Sequence, residues 1–146
     1  MQFSPELQSY IELVLTSYQS YTGKMLAKDI NELYTADFVS ASHCFYDDNL
    51  TRFVFANLKA QELWQMTWDE FLGLESKYSA NPNERSERDD LLARVKQEGI
   101  INNYSGIRVS KTGQEFMVKD ATVWNVNDNE GKLIGQAVKF DYPVYA

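Results

Sequence analysis

The order of segments predicts an α+β fold: one antiparallel sheet of five strands, short helices on one of its faces, and an amphipathic helix ahead of it. Three observations carry this. Two strand-like runs, FVSAS (Phe38–Ser42) and RFVFA (Arg52–Ala56), come early and flank an Asp47-Asp48-Asn49 turn. Three longer runs, Asn103–Ser110, Glu115–Val126 and Leu133–Tyr142, follow as a meander whose turns hold Gly113 and Gly131. Every stretch of helical period falls before or between these two groups, so helices and strands are segregated rather than alternating.

The elements can be justified in turn. Ser4 is a suitable N-cap, Pro5 suits a first helical position, and Glu6 favours the positive end of the helix dipole. Leu7, Tyr10, Ile11, Val14 and Tyr18 then form one apolar stripe, and Gly23 stops the helix. Residues 1–24 are read as this helix and 25–146 as the main domain. Met25–Tyr34 reads as a shorter helix. Asn57 caps LKAQELW, and Thr67-Trp68-Asp69-Glu70 has the form of a capping box. After the polar Asn81-Pro82-Asn83 loop, Ser86 can cap a helix through Leu91, Leu92 and Val95, which Gly99 ends.

Composition narrows the function classes. The 146 residues suffice for one domain, and 44% hydrophobic with 24% charged residues is ordinary globular usage. A net charge of −7 repels phosphate backbones, which argues against a nucleic-acid partner. The single cysteine, Cys44, cannot close an intramolecular disulfide and fits a reducing compartment. No apolar run approaches the roughly 20 residues that span a bilayer, and the amino terminus lacks the features of a signal peptide. The expectation is a cytoplasmic protein with no membrane partner.

The segment FVFANLKAQELWQMTWDEFLGL and the late Asp128-x-x-Gly131 turn resemble the PAS superfamily of sensory domains. More closely, Leu33-Tyr34 to His43, Ser79-Ala80, Glu84-Arg85, Arg88–Val95, Tyr104-Ser105-Gly106-x-Arg108-x-Ser110, Ala121-Thr122-Val123-Trp124-Asn125 and Gly135-Gln136-Ala137 resemble the MEKHLA domain. That PAS-related family occurs at the carboxy terminus of plant homeodomain-leucine zipper regulators and as small free-standing bacterial proteins. The resemblance runs from about Leu33 to Phe140. It implies a PAS-like sheet and a sensory or interaction role, and it does not carry over DNA binding.

Candidate chemistry is sparse. His43 is the only histidine, and strand alternation sets Ser42 and Cys44 on the face opposite it. A structural histidine is the expectation, and no catalytic residue is assigned. The resemblance implies neither haem nor cysteinyl flavin, because the long helix lacks a histidine and the Gly-x-Asn-Cys-Arg motif of flavin photoreceptors is absent. No metal-ligand cluster and no phosphate loop is visible.

The late strands are more informative. Ile134, Gln136, Val138 and Phe140 share one face, the larger and more apolar, so Gln136 is expected in an apolar lining. It either bonds to backbone or reads the edge of a ligand. On the preceding strand Phe116, Val118, Asp120, Thr122, Trp124 and Val126 share a parity. If Ser110 pairs with Phe116, Arg108 opposes Val118 and reaches Asp120 for an ion pair, the alternative being an anion-binding arginine. A bulge would break this parity.

These readings give a candidate ligand-binding set of Trp64, Arg108, Thr122, Trp124 and Gln136 around a cavity also lined from Leu91–Val95. A non-enzymatic PAS-like sensory module with a small-molecule ligand is expected; a dimerisation module with a filled core is the alternative. The amino-terminal stripe needs a surface to cover, either its own domain or a second copy. A homodimer through this helix is the expectation, with Tyr10, Val14 and Tyr18 at the interface.

Overall fold

The computed structural model describes residues 2–143. Helix α1 spans Pro5–Thr22; the Ser4 hydroxyl accepts from the Leu7 N–H, and Gly23 ends it in the left-handed conformation that only glycine adopts freely. Helix α2 is Ile30–Tyr34, shorter than the sequence predicts, because Asp29 caps Glu32 and starts the helix late. Strands β1 (Phe38–Phe45) and β2 (Thr51–Ala56) form the expected hairpin. Helix α3 is Leu58–Trp64, capped by Asn57, and α4 is Trp68–Phe71 with the Thr67/Glu70 capping box in place. Two short 3₁₀ turns, Ser76–Ser79 and Pro82–Glu84, lead into α5, Arg85–Glu98. Ser86 lies inside α5 and does not cap it, since the chain enters the helix directly from the preceding 3₁₀ turn. Strands β3 (Ile100–Val109), β4 (Glu115–Asn127) and β5 (Leu133–Asp141) complete the sheet.

The sheet is antiparallel throughout, in the order β2-β1-β5-β4-β3, so the first and last strands of the chain sit side by side at its centre. One face packs Val39, Ala41, Phe53, Phe116, Val118 and Phe140 against Trp64 of α3 and Phe71 of α4, with Leu91 and Val95 of α5 beside them. The other face packs Phe55, Trp124, Val126 and Ala137 against Ile11, Val14 and Tyr18 of α1 and Leu33 of α2.

This second layer settles where the amino-terminal stripe goes. Of the residues that the sequence reading assigns to a dimer interface, Val14 and Tyr18 are buried with Ile11 against the chain's own sheet, and Tyr10 is partly buried and bonds Ser42 at 2.7 Å. The fully buried Trp124 anchors the layer: its Nε1–H donates to the Val14 carbonyl at 3.1 Å, and Tyr18 meets its ring edge-on at 4.9 Å. Tyr10 closes onto Gly135, where a Cβ would collide with both the Tyr10 hydroxyl and the His43 backbone carbonyl.

One backbone irregularity corrects the face assignment of β4. Asp120 has φ +53°, an exposed left-handed residue in the middle of the strand. Before it Phe116 and Val118 face α3; after it Ala121 and Val123 take that side, and Trp124 and Val126 turn to α1. Asp120 absorbs the extra step as a bulge does.

Candidate functional site

A cavity of about 80 Å³ lies between the sheet and the helices α3 and α5. Its floor is Ala41, His43, Val118, Val123, Gln136, Val138 and Phe140; Trp64 and Leu91 cover it, and Arg88, Tyr104 and Arg108 stand on one side. The register explains the polar part of the floor. His43 of β1 is paired with Gln136 of β5, and Gln136 with Asn125 of β4, so three polar side chains lie in one row across the central strands.

That row is one hydrogen-bonded network. The Gln136 carbonyl oxygen Oε1 meets His43 Nε2 at 3.0 Å, while its Nε2 donates to the Leu92 carbonyl at 3.0 Å and to Asn125 Oδ1 at 3.3 Å. The reverse amide orientation would set Oε1 against the Leu92 carbonyl, two acceptors with no proton between them. With Oε1 toward the ring, His43 must carry its proton on Nε2. His43 Nδ1 then accepts from the Ser76 hydroxyl at 2.8 Å, and Ser76 in turn accepts from Arg88 Nη2 at 2.6 Å and from Thr51 Oγ1 at 2.6 Å. At the far end Asn125 Nδ2 donates to the Lys96 carbonyl at 3.2 Å. Among the described residues no buried side-chain nitrogen or oxygen lacks a partner.

Electrostatics follow from this burial. Burial, and secondarily the charge of Arg88, push the His43 pKa down to about 4, so the imidazole is neutral at physiological pH. Buried and neutral, with a pKa near 4, the imidazole is a weak base at physiological pH. Burial and then the nearby Arg108 lower Arg88 to about 10, which still leaves it charged. Arg88 Nη1 reaches the exposed Asp89 carboxylate at 3.3 Å, and Arg108 lies 3.8 Å from Glu87. Arg108 Nη2 also donates to the Tyr104 hydroxyl at 3.1 Å, which donates to Glu87. Burial raises the Tyr104 pKa, and the Glu87 bond adds to the shift.

The sequence-derived ligand set divides. Trp64, Arg108 and Gln136 line the cavity, as do Leu91 and Leu92. Thr122 and Trp124 do not, because the Asp120 irregularity turns both to the other face. There Thr122 Oγ1 donates to Asn102 Oδ1 at 3.2 Å and Trp124 is bonded to α1. The expected Arg108–Asp120 ion pair does not form either: Arg108 pairs with Phe116 in the sheet, its charge meets Glu87, and Asp120 faces solvent. His43, Ser76, Arg88, Tyr104 and Asn125 are site residues that the sequence reading leaves out of the set. Arg88 had a legible signal, since it lies three residues before Leu91 and seven before Val95 on the buried stripe of α5. Ser42 and Cys44 do lie opposite the His43 side chain: Ser42 bonds Tyr10 of α1 at 2.7 Å, and Cys44 sits beside Tyr10 with its thiol pKa raised by burial. Among the described residues no cluster of His, Cys, Asp and Glu could hold a metal, and no helix is long and apolar enough to cross a membrane.

The model of the MEKHLA domain matches residues 8–143. The chain belongs to the MEKHLA domain family. The match takes in most of α1, further toward the amino terminus than the Leu33 at which the sequence resemblance begins. Among solved structures the PAS domain of a protein from Colwellia psychrerythraea superposes with a TM-score of 0.65 at 9% identity, covering 76% of this chain and 91% of that one. A light-oxygen-voltage domain studied with a flavin analogue gives 0.64 at 15%, covering 79% and 84%. The light-state LOV domain of the photoreceptor Aureochrome1 gives 0.60 at 15%, covering 79% and 88%. These likenesses establish a PAS-like fold for this MEKHLA domain. None of the curated proteins matches its sequence significantly. A flavin does not fit the cavity: about 80 Å³ is well below the ~300–1,000 Å³ of pockets that hold drug-sized ligands, and Cys44 does not line it.

Proposed function

We propose that this MEKHLA domain is a non-enzymatic sensory module that binds a small molecule between α5 and the sheet. The observation that carries this reading is the cavity itself, a half-open space beside a polar row whose central residue, Gln136, is tied to the backbone of α5 at Leu92. A guest there would change how α5 rests on the sheet. The reading includes no catalytic step, because a pKa near 4 makes His43 a weak base and Cys44 does not line the cavity. A cytoplasmic setting suits its single cysteine, and its net charge of −7 disfavours a nucleic-acid partner. Dimerisation through the α1 stripe is not part of the reading, since the stripe already covers the chain's own sheet. Full pairing of the buried side-chain polar atoms among the described residues favours the second reading, an interaction module with a filled core.

Titration of ¹⁵N-labelled protein with a panel of small polar and apolar compounds separates the two. Amide shifts clustered at Arg88–Leu92, Val123 and Gln136 are expected for a sensory module. A silent spectrum across the whole panel would leave the filled-core reading.

A further inference from the structure

The charge around the cavity identifies the class of guest, on the reading that the module binds one. The titratable groups that line it are Arg88, Arg108, His43 and Tyr104; among the described residues no carboxylate does. His43 is neutral and Tyr104 is protonated at neutral pH, so the charge at the wall comes from two guanidinium groups. Both arginines are buried, with 6% and 8% of their surface exposed. Their carboxylate partners are not buried: Glu87 and Asp89 have side chains 47% and 69% exposed and approach from the solvent side. At 3.8 Å the Arg108–Glu87 contact is a loose pair, without the two parallel bonds of a good arginine–carboxylate fork.

Donor capacity is also left over. Each guanidinium has five N–H groups. Arg88 uses them on Asp89 and Ser76, and Arg108 on the Ile107 carbonyl and Tyr104. Neither Nε has a hydrogen-bond partner among the described residues, and no fully enclosed side-chain nitrogen there lacks one, so neither Nε–H is wholly enclosed. Opposite the arginines the lining is apolar, from Trp64, Leu91, Val118, Val138 and Phe140.

We propose that the cavity takes a small organic anion, a short-chain monocarboxylate, with its carboxylate on Arg108 and Arg88 and its alkyl end against Trp64 and Leu91. The size follows from the volume. A cavity of ~150 Å³ holds benzene, so about 80 Å³ accommodates roughly three to five heavy atoms, the range of acetate and propionate. The incoming carboxylate replaces Glu87 at Arg108. Because Glu87, Arg88 and Leu91 all belong to α5, exchanging an exposed carboxylate for a buried one draws on the contacts that seat this helix.

The test compares isosteres on the full chain at fixed ionic strength: acetate with acetamide, and propionate with propionamide, followed by calorimetry and by amide shifts. Each acid is expected to bind about tenfold or more tighter than its amide, the difference made by charge-assisted bonds, with shifts at Arg88, Leu91 and Arg108. If the amides bind as well as the acids, the anion assignment is wrong while the cavity reading stands. If none of the four binds, the anion assignment is overturned, and the broader panel above decides the cavity reading separately. Arg108→Gln is expected to lose propionate affinity by about tenfold or more with little change for propionamide. A folded Arg108→Gln protein that keeps its propionate affinity removes Arg108 from the site. The acid–amide comparison on the unaltered chain stands whatever the stability of this variant.

Discussion

Replacing Gln136 with leucine tests the polar row at its centre. Leucine has nearly the same volume, so the change removes bonds rather than packing. Three partners are affected: His43 Nε2–H, Asn125 Oδ1 and the Leu92 carbonyl. The Leu92 carbonyl keeps its helical acceptor role within α5 and costs little. His43 can move its proton to Nδ1 and donate to Ser76, which then turns its hydroxyl to Thr51 Oγ1, so part of the ring's loss is recovered. Asn125 Oδ1 has no such escape. At about 1 to 3 kcal/mol for each buried group left unsatisfied, the expected loss is about 2 to 4 kcal/mol. That is a large share of the roughly 5 to 15 kcal/mol of a typical domain. Urea unfolding followed by tryptophan fluorescence reads the stability, and a long-range ¹H–¹⁵N spectrum reads the tautomer. The spectrum needs no assignment, since His43 is the only histidine. The expected pair of results is a lower midpoint together with a shift from the Nε2–H to the Nδ1–H form. A variant within about 0.5 kcal/mol of the parent, with the Nε2–H form unchanged, would refute the network.

Three further outcomes are expected. His43 has its pKa lowered from 6.5 to about 4, so the unfolded chain binds the proton more readily and stability falls as pH drops through that window. From about pH 7 to about pH 5 the loss is about 2 kcal/mol, and urea midpoints of His43→Gln should lack that part of the slope; equal slopes for both proteins would contradict the buried neutral imidazole. Asp120→Gly should be neutral or stabilising by up to about 1 kcal/mol in thermal unfolding, because glycine adopts φ +53° without strain; a clear loss would place Asp120 in regular strand geometry. Gly135→Ala should cost about 1 to 3 kcal/mol and speed hydrogen exchange in α1, since the added methyl strikes the Tyr10 hydroxyl and the His43 carbonyl; unchanged exchange in α1 would mean that Tyr10 does not pack there.

The legible parts of this fold are those fixed by local chemistry. The Ser4, Asn57 and Thr67 caps act where the sequence places them, because a cap is a contact over three residues. Gln136 faces the helices as alternation predicts, since β5 keeps an even register beside β1. Alternation fails on β4 because a single residue, Asp120, accepts a left-handed conformation, and aspartate is too common in turns to announce a bulge within a strand. Trp124 and Thr122 changed faces for that reason alone. Arg108 missed its expected partner because the hairpin pairs Arg108 rather than Ser110 with Phe116, and its actual partner Glu87 lies on α5, beyond the reach of any strand-pairing argument. The stripe of α1 was visible, but period says only that a helix has an apolar side. Which surface covers it was decided by Trp124, once the bulge had turned it outward.

The central strands β1 and β5 join the two faces of the sheet. Gln136 uses its side chain on the cavity side, toward His43 and α5, and its backbone carbonyl on the other, where it accepts from the Ser42 hydroxyl at 2.8 Å. Ser42 in turn meets the Tyr10 hydroxyl of α1 at 2.7 Å. His43 repeats the pattern, its ring in the polar row and its carbonyl within 3.3 Å of Tyr10. Two adjacent pairs on the central strands thus hold α5 on one side and α1 on the other. A guest that shifts Gln136 by even a few tenths of an ångström loads the Ser42 bond, and Tyr10 has little room to accommodate it because Gly135 already admits it only for want of a Cβ. The path from cavity to outer helix is therefore short and made of hydrogen bonds with narrow geometric tolerance.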